Sequence, residues 1–124
     1  MKVRMKFSKS HAWVELKGTI ATVGISQEAL ELLGEIVFVD LPTIGKEIKI
    51  DEPSVLLEAS KAASDFYSPL SGKIVAVNEY LKNNPALLNE SPEKKGWLYR
   101  MDISKKEEID HLLDEKEYRI FAGG

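Results

Sequence analysis

The sequence has 124 residues, enough for one domain with a hydrophobic core of moderate size. Its 44% hydrophobic and 30% charged residues are typical of a globular chain, and no apolar run is long enough to span a membrane. A net charge of −3 argues against a nucleic-acid-binding protein, and the absence of cysteine excludes disulfides and cysteine metal ligands.

A hairpin and a short helix are predicted first. Lys17 and Gly18 separate two β-prone runs, which is typical of a hairpin. A helix is expected near 27–33, because Ser26 can cap its start and Gly34 can end it. Three apolar residues at helical spacing are predicted to dock this helix on the sheet: Ala29, Leu32 and Leu33.

Strands are again expected after the helix. EIVFVDL is one strand, and KEIKI alternates so that Ile48 and Ile50 share a face of the next. A third strand, SVLLEAS, leads to Lys61. After this lysine, DFYSPLSG is extended and turns at Ser71 and Gly72, and KIVAVN forms another strand.

The last third predicts loops, one strand and terminal helices. The Asn- and Pro-rich stretch indicates loops with at most a short helix at 85–88, and WLYRM is a strand. Capping-box signatures precede the final apolar runs: Ser104 with Glu107, and Asp114 with Glu117. We therefore expect C-terminal helices over about 104–121, attached to a body made mainly of β-strands.

Two similar segments flank Lys61. GEIVFVD begins at Gly34 and GKIVAVN begins at Gly72, and four of their seven residues are identical. Two similar halves around a central hairpin favour a sandwich of two sheets with internal two-fold symmetry. The lysine would then lie at a turn near the symmetry axis.

Lys61 is a lone cation between small residues at the tip of the predicted hairpin. Most lysines in turns are simply solvated. A nucleophilic lysine usually lies in an apolar site or beside another cation, whereas the charged neighbours in sequence here are Glu58 and Asp65. The small flanking residues favour a third interpretation, in which the lysine enters the active site of another enzyme.

The segment EASKAASDFYSPLSG resembles the lipoylation segment of the glycine cleavage H-protein family. Biotin carriers usually place methionine on both sides of their lysine, and the lipoyl domains of 2-oxoacid dehydrogenases usually have Glu-Thr-Asp-Lys-Ala, so both fit less well. The resemblance covers roughly 7–121. Six further blocks match the H-protein family in order: SHAWV (10–14), VGIS (23–26), LGEIVFVDLP (33–42), VNE (77–79), NPALLNESP (84–92) and GWLYRM (96–101).

This resemblance implies a fold and a cofactor. The fold is a mainly β barrel-sandwich hybrid of the lipoyl and biotinyl type, in a single domain over 1–124 with a lipoyl-like core at about 20–101. Lys61 would carry lipoic acid in amide linkage. Glu58 and Gly72 occupy family positions associated with recognition during lipoylation. Gly72 also suits a turn that requires a positive φ.

The resemblance implies a carrier protein with no catalytic residue of its own. A pyridoxal-phosphate glycine decarboxylase (P protein) would load the aminomethyl group of glycine, and a tetrahydrofolate-dependent aminomethyltransferase (T protein) would take it on. Dihydrolipoyl dehydrogenase (L protein) would reoxidise the arm, and a lipoate ligase or lipoyl transferase would attach it. We expect no metal site, no nucleic-acid or membrane partner, and a cytoplasmic location, because the basic start lacks a signal peptide's apolar stretch.

In this family the loaded arm folds into a cleft on the carrier. Ser10 and Asp65 match family positions in that cleft, and Glu15 is a further candidate. The family usually has glutamate where this sequence has Ala12, which removes one carboxylate from the expected cleft. This absence leaves open a lipoyl relay in lipoate biosynthesis. The other alternative is an unmodified interaction module, against which the combination of Glu58, Lys61 and Gly72 speaks.

Overall fold

The computed structural model describes residues 5–123, which form two antiparallel β-sheets with short helices. The helices are α1 (Gln27–Leu33), α2 (Tyr80–Asn83), α3 (Ala86–Glu90), a 3₁₀ helix (Lys106–His111) and α4 (Glu115–Gly123). No helix in this range is both long and apolar enough to cross a bilayer. The strands are β1 (Met5–Phe7), β2 (Ala12–Lys17), β3 (Ile20–Ile25), β4 (Ile36–Asp40), β5 (Glu47–Ile48), β6 (Pro53–Ala59), β7 (Ala63–Tyr67), β8 (Gly72–Val77), β9 (Tyr99–Ile103) and β10 (Leu113–Asp114).

Seven strands form the larger sheet in the order β10-β1-β2-β3-β9-β8-β5, and three form the smaller sheet in the order β4-β6-β7. The two similar segments around Lys61 lie in different sheets, because GEIVFVD supplies β4 and GKIVAVN supplies β8. The prediction of a mainly β fold is confirmed, and the two sheets do not close into a barrel.

The hydrophobic core lies between the two sheets. Side chains alternate between the two faces of each strand, so Val23 of the larger sheet and Leu57 of the smaller sheet are both buried. Tyr99 of β9 also points into this core, where its hydroxyl lies 3.0 Å from Ser54 Oγ of β6. This hydrogen bond joins one sheet to the other.

Helix α4 packs against the rest of the chain through aromatic and ionic contacts. The buried rings of Tyr118 and Phe7 are stacked, with their centroids 4.5 Å apart. The Arg119 guanidinium bonds the carboxylates of Glu28 in α1 and, at 2.7 Å, of Glu93. The C-terminal helix therefore connects β1, α1 and the segment that follows α3.

The predicted helix α1 is confirmed, but its buried face differs from the expectation. Ser26 Oγ accepts the Ala29 N–H at the start, and Gly34 ends the helix with a φ of 82°. Ala29 and Leu30 are buried, whereas Leu32 is 82% exposed. Successive helical residues differ by 100°, so Leu32 lies about 160° around the helix from Leu30 and cannot share its buried face.

The alternating pattern of KEIKI also predicted too long a strand. Ile48 is buried, but β5 ends there, and Ile50 is 36% exposed. The chain turns after β5, where the Glu52 N–H bonds the Lys49 carbonyl at 3.0 Å and Asp51 adopts a φ of 67°. This turn transfers the chain from the larger sheet to the smaller sheet, and a two-residue period cannot continue through it.

The Asn- and Pro-rich stretch contains two short helices, α2 and α3, where at most one was expected. Pro85 directly precedes α3, where the N–H that proline lacks would have no helical acceptor. The next predicted helix is a 3₁₀ helix without a side-chain cap. Its expected capping box is absent because Lys105 is extended, with a φ of −134°, and separates Ser104 from the first helical residue.

The second capping box is confirmed. Asp114 Oδ1 accepts the Glu117 N–H at 2.8 Å, and Glu117 Oε1 accepts the Asp114 N–H at 3.1 Å. Asp114 also ends β10, which pairs with β1. The same residue therefore closes the larger sheet at one edge and begins helix α4.

Candidate functional site

Lys61 lies at the tip of the hairpin formed by β6 and β7. The Ala59 N–H closes the turn by bonding the Ala62 carbonyl at 2.8 Å. The Ser60 N–H bonds the Glu35 carbonyl at 3.0 Å, which fixes the turn against the residue before β4. The position of the lysine is therefore set by backbone hydrogen bonds that do not involve its side chain.

The surroundings of Lys61 leave its ammonium open to solvent. Residues 60–62 are all exposed, and the side chains of Ser60 and Ala62 are too small to cover the lysine. Within the described residues, no carboxylate lies within ion-pair distance of its Nζ. Another protein can therefore reach this amine without displacing a partner.

Glu58 shares the hairpin with Lys61. It lies on β6 opposite Ala63 of β7 and Phe38 of β4, and its side chain is exposed on the outer face of the smaller sheet. It lies three positions before the lysine, at the end of β6 that leads into the turn. A protein that docks over the hairpin tip would contact both side chains.

Gly72 lies on the other sheet, away from the hairpin tip. It is the first residue of β8 and pairs with Ile48 of β5 and Ile103 of β9. Its φ is not positive, so its interpretation as a positive-φ turn residue is wrong. A Cβ at this position would lie 2.4 Å from the Asp102 carbonyl oxygen, so close packing of two strands requires glycine here.

The residue before Gly72 is held by a carboxylate that the sequence did not single out. The buried Glu108 accepts the Ser71 N–H at 2.7 Å and the Ser71 Oγ–H at 2.8 Å. Ser71 Oγ in turn accepts the Ile50 N–H at 2.9 Å. The signal is weak in sequence, because Glu108 is one of several acidic residues in KKEEIDHLL.

A cleft of about 140 Å³ lies beside the hairpin. Ser10 and Asp65, two of the three residues expected at the arm cleft, both line it, although they are 55 positions apart in the sequence. Asp65 is exposed and also borders a groove on the outer face of the smaller sheet, with Asp40 and Leu56. The remaining lining is contributed by β3, α1 and the hairpin, with one histidine: His11, Ile25, Ala29, Leu32, Leu33, Leu57, Ser64 and Phe66.

Glu15 does not line this cleft. It lies on β2, opposite Thr22, and borders a separate groove on the outer face of the larger sheet with Arg100. Ala12 is fully buried in the core and is also absent from the cleft wall. The described residues contain no group of three or more His, Asp or Glu side chains suited to a metal ion.

Known proteins of one family match nearly the whole length of the chain. The glycine cleavage H-protein family matches residues 5–122. A glycine cleavage system H protein of Thermotoga maritima is 50% identical over 94% of this chain and 94% of its own. One from Vibrio campbellii is 46% identical over 92% of this chain and 91% of its own.

A solved structure supports the same assignment. The crystal structure of a glycine cleavage system H protein from Mycobacterium marinum superposes with a TM-score of 0.89. The sequence identity is 31%, and the superposition covers 100% of both chains. The chain therefore belongs to the glycine cleavage H-protein family, whose members are carrier components and not enzymes.

Proposed function

We propose that the chain is the cytoplasmic lipoyl carrier of a glycine cleavage system. It moves the aminomethyl group of glycine from the P protein to the T protein, and the L protein reoxidises it. The observation that carries this proposal is the exposed Lys61, held at a hairpin tip between small residues. When attached there, lipoic acid supplies a dithiolane that accepts one-carbon units and electrons.

The residues around Lys61 fit a lipoyl group. The amine is accessible for amide formation, and the lining of the cleft includes Ser64, three positions after the lysine on the returning strand of the hairpin. Leu32 and Leu33 supply an apolar wall for a hydrocarbon arm. Asp65 supplies a carboxylate that attracts a cationic amine, and Ser10 adds a hydroxyl.

Glu58 is the residue we assign to recognition by the lipoate ligase or lipoyl transferase. Its exposed carboxylate lies on β6, the strand that leads to Lys61. An enzyme that binds the lysine would therefore also contact the Glu58 carboxylate. For Gly72 the role we propose is structural, because the absence of a side chain lets β8 and β9 approach closely.

Carboxylates on the outer face of the smaller sheet favour partners with basic rims. Asp40, Leu56 and Asp65 form one row across β4, β6 and β7, and Glu58 lies in the next row. Complementary charge speeds encounter and excludes wrong partners more than it raises affinity. The P, T and L proteins would all approach the lysine over this face.

The first experiment is lipoylation followed by intact-mass measurement. The protein and a Lys61→Arg variant are each incubated with lipoate, ATP and a lipoate ligase. We expect one lipoyl addition to the wild type and none to the variant, because arginine keeps the charge but has no acylated product here. No addition to the wild type, under conditions that modify a known carrier, would contradict the proposal.

A second step separates the carrier from a lipoyl relay. The lipoylated protein is incubated with glycine and the P protein, and its mass is measured again. A cleavage carrier gains the aminomethyl group only when glycine is present. A protein that is lipoylated but never loaded would instead serve lipoate transfer.

A further inference from the structure

One buried hydroxyl connects two walls of the cleft. Tyr118 Oη lies 2.7 Å from His11 Nδ1 and 2.6 Å from Ser26 Oγ. His11 lines the cleft directly, and Ser26 caps α1, the helix that forms the opposite wall. Tyr118 belongs to α4 and does not itself line the cleft.

The part of the cleft wall formed by His11 has a strained backbone conformation. His11 has a φ of 73°, in the left-handed region that residues other than glycine seldom adopt. Its N–H bonds the Ser8 carbonyl at 3.1 Å, and its carbonyl accepts the Ser26 N–H at 2.9 Å. With the tyrosine hydroxyl on its ring, His11 is held from both its backbone and its side chain.

The second wall depends on the start of α1. Ser26 Oγ accepts the Ala29 N–H at 3.2 Å and is fully buried. Ala29 and, further along the helix, Leu32 and Leu33 face the cleft. A helix of seven residues has fewer than two turns, so the position of its cap strongly constrains the direction of its side chains.

The phenol of Tyr118 can satisfy both partners at once. Burial raises the pKa of Tyr118, so the phenol keeps its proton. It donates to His11 Nδ1 while it accepts the Ser26 Oγ–H, and the two directions reverse when Nδ1 carries a proton. The ring itself is fixed by its stack on Phe7, independently of the hydroxyl.

We propose that Tyr118 is a positioning residue of the arm cleft, whose hydroxyl sets the separation between the His11 segment and α1. The space available to a loaded arm then depends on a helix that never touches it. This inference rests on the proposed function, since it concerns the cleft that would hold the aminomethyl-bearing arm. Its direct consequence is that removing one oxygen atom shortens the lifetime of the loaded carrier.

The test compares Tyr118→Phe with wild type and with Tyr80→Phe. Tyr80 is 60% exposed on α2, outside the cleft, so its variant makes the same chemical change at a neutral site. All three proteins are lipoylated, loaded with glycine and P protein, and separated from the enzyme. Intact mass then follows loss of the aminomethyl group, in which one water molecule releases formaldehyde and ammonia and leaves the thiol.

We expect this loss to be about 2- to 10-fold faster in Tyr118→Phe, the range that corresponds to one hydrogen bond. Tyr80→Phe should match the wild type. Amide NMR gives a second readout, because loading should shift the resonances of 64–66 in wild type and shift them less in Tyr118→Phe. A general loss of stability would not reproduce this local change at temperatures where both proteins are folded.

Equal loss rates and equal shifts in wild type and Tyr118→Phe would overturn the inference. If the wild type itself cannot be loaded, the proposed function fails first, and the inference fails with it. Should Tyr118→Phe not fold, His11→Asn removes the same contact from the other side, since asparagine tolerates a positive φ. Faster loss is expected there too, and an unchanged rate would again reject the role of the contact.

Discussion

Glu58 and Gly72, the two residues proposed for recognition during lipoylation, lie in very different surroundings. Glu58 is exposed on the hairpin, so its effect should be on recognition alone. Gly72 lies on the opposite sheet, where the Asp102 carbonyl leaves no room for a side chain. Its effect should therefore be on folding, and on lipoylation only through folding.

Substitution of these two residues separates the effects. Gly72→Ala should lower the free energy of unfolding by about 1–3 kcal/mol, because the new Cβ must displace backbone. Glu58→Gln should change it by less than about 0.5 kcal/mol, as is usual for exposed sites, but slow lipoylation. Urea denaturation gives the first quantity, and lipoylation rates below the unfolding transition give the second.

The opposite pattern would reverse this assignment. If folded Gly72→Ala is modified as slowly as Glu58→Gln, then the glycine itself takes part in recognition. If Glu58→Gln is modified at the wild-type rate, the carboxylate has no part in it.

Among the elements, helix α4 has a start that is explained by neighbouring residues, and it contacts distant parts of the chain. Its reciprocal capping box satisfies backbone N–H groups at its first turn. The helix then carries Tyr118 to Phe7 and Arg119 to Glu28, which connect it to β1 and α1. A change that weakens the start of α4 should therefore alter the structure of the cleft as well as that of the C-terminal helix.

Asp114→Ala should destabilise the protein by about 1 kcal/mol, because the Glu117 N–H loses its side-chain acceptor. Asp110→Ala is the matched control. Asp110 is exposed on the 3₁₀ helix, and its substitution removes the same charge. Denaturation curves of both variants measure the difference. Equal stabilities would mean that the capping bond contributes nothing beyond the charge.

At the scale of the whole molecule, the two sheets meet through an apolar core that is crossed by a buried hydrogen bond. Ser54 Oγ–H donates to the Phe66 carbonyl at 3.1 Å, so its oxygen accepts the Tyr99 hydroxyl from the other sheet. Burial raises the pKa of Tyr99 to about 12, because a phenolate would be desolvated between the sheets. The folded protein therefore retains a proton that the unfolded chain releases near pH 10.

This difference predicts a pH-dependent stability. Below pH 10, Tyr99 is protonated in both states, and the full stabilisation is present. Between pH 10 and 12 only the unfolded chain ionises, so stability falls as the pH rises toward the folded-state value. The free energy of unfolding of the wild type, relative to that of Tyr99→Phe, should therefore be about 1.4 kcal/mol lower at pH 11 than at pH 8.

Denaturant unfolding of both proteins at several pH values measures this difference. At pH 8 the variant should be the less stable one, because it leaves Ser54 without the hydroxyl of the opposite sheet. A gap that stays constant up to pH 11 would show that Tyr99 ionises equally in both states.

Local features were predictable from the sequence because they depend on neighbouring residues. Ser26 and Gly34 bound α1, Asp114 and Glu117 cap α4, and small residues surround the lysine at position 61. Each of these is decided by hydrogen bonds or steric limits within a few positions of the chain. Together with the family resemblance, they determined the mainly β fold and the residue proposed for lipoylation.

Only the tertiary structure decided which distant residues meet. It placed Ser10 and Asp65 in the lining of one cleft and Glu15 in another groove, and it brought the Tyr118 hydroxyl to His11. It also showed that the Asp102 carbonyl on a neighbouring strand leaves no room for a side chain at Gly72. Such contacts follow from sheet register and helix docking, which join residues far apart in the chain and leave no periodic signal in the sequence.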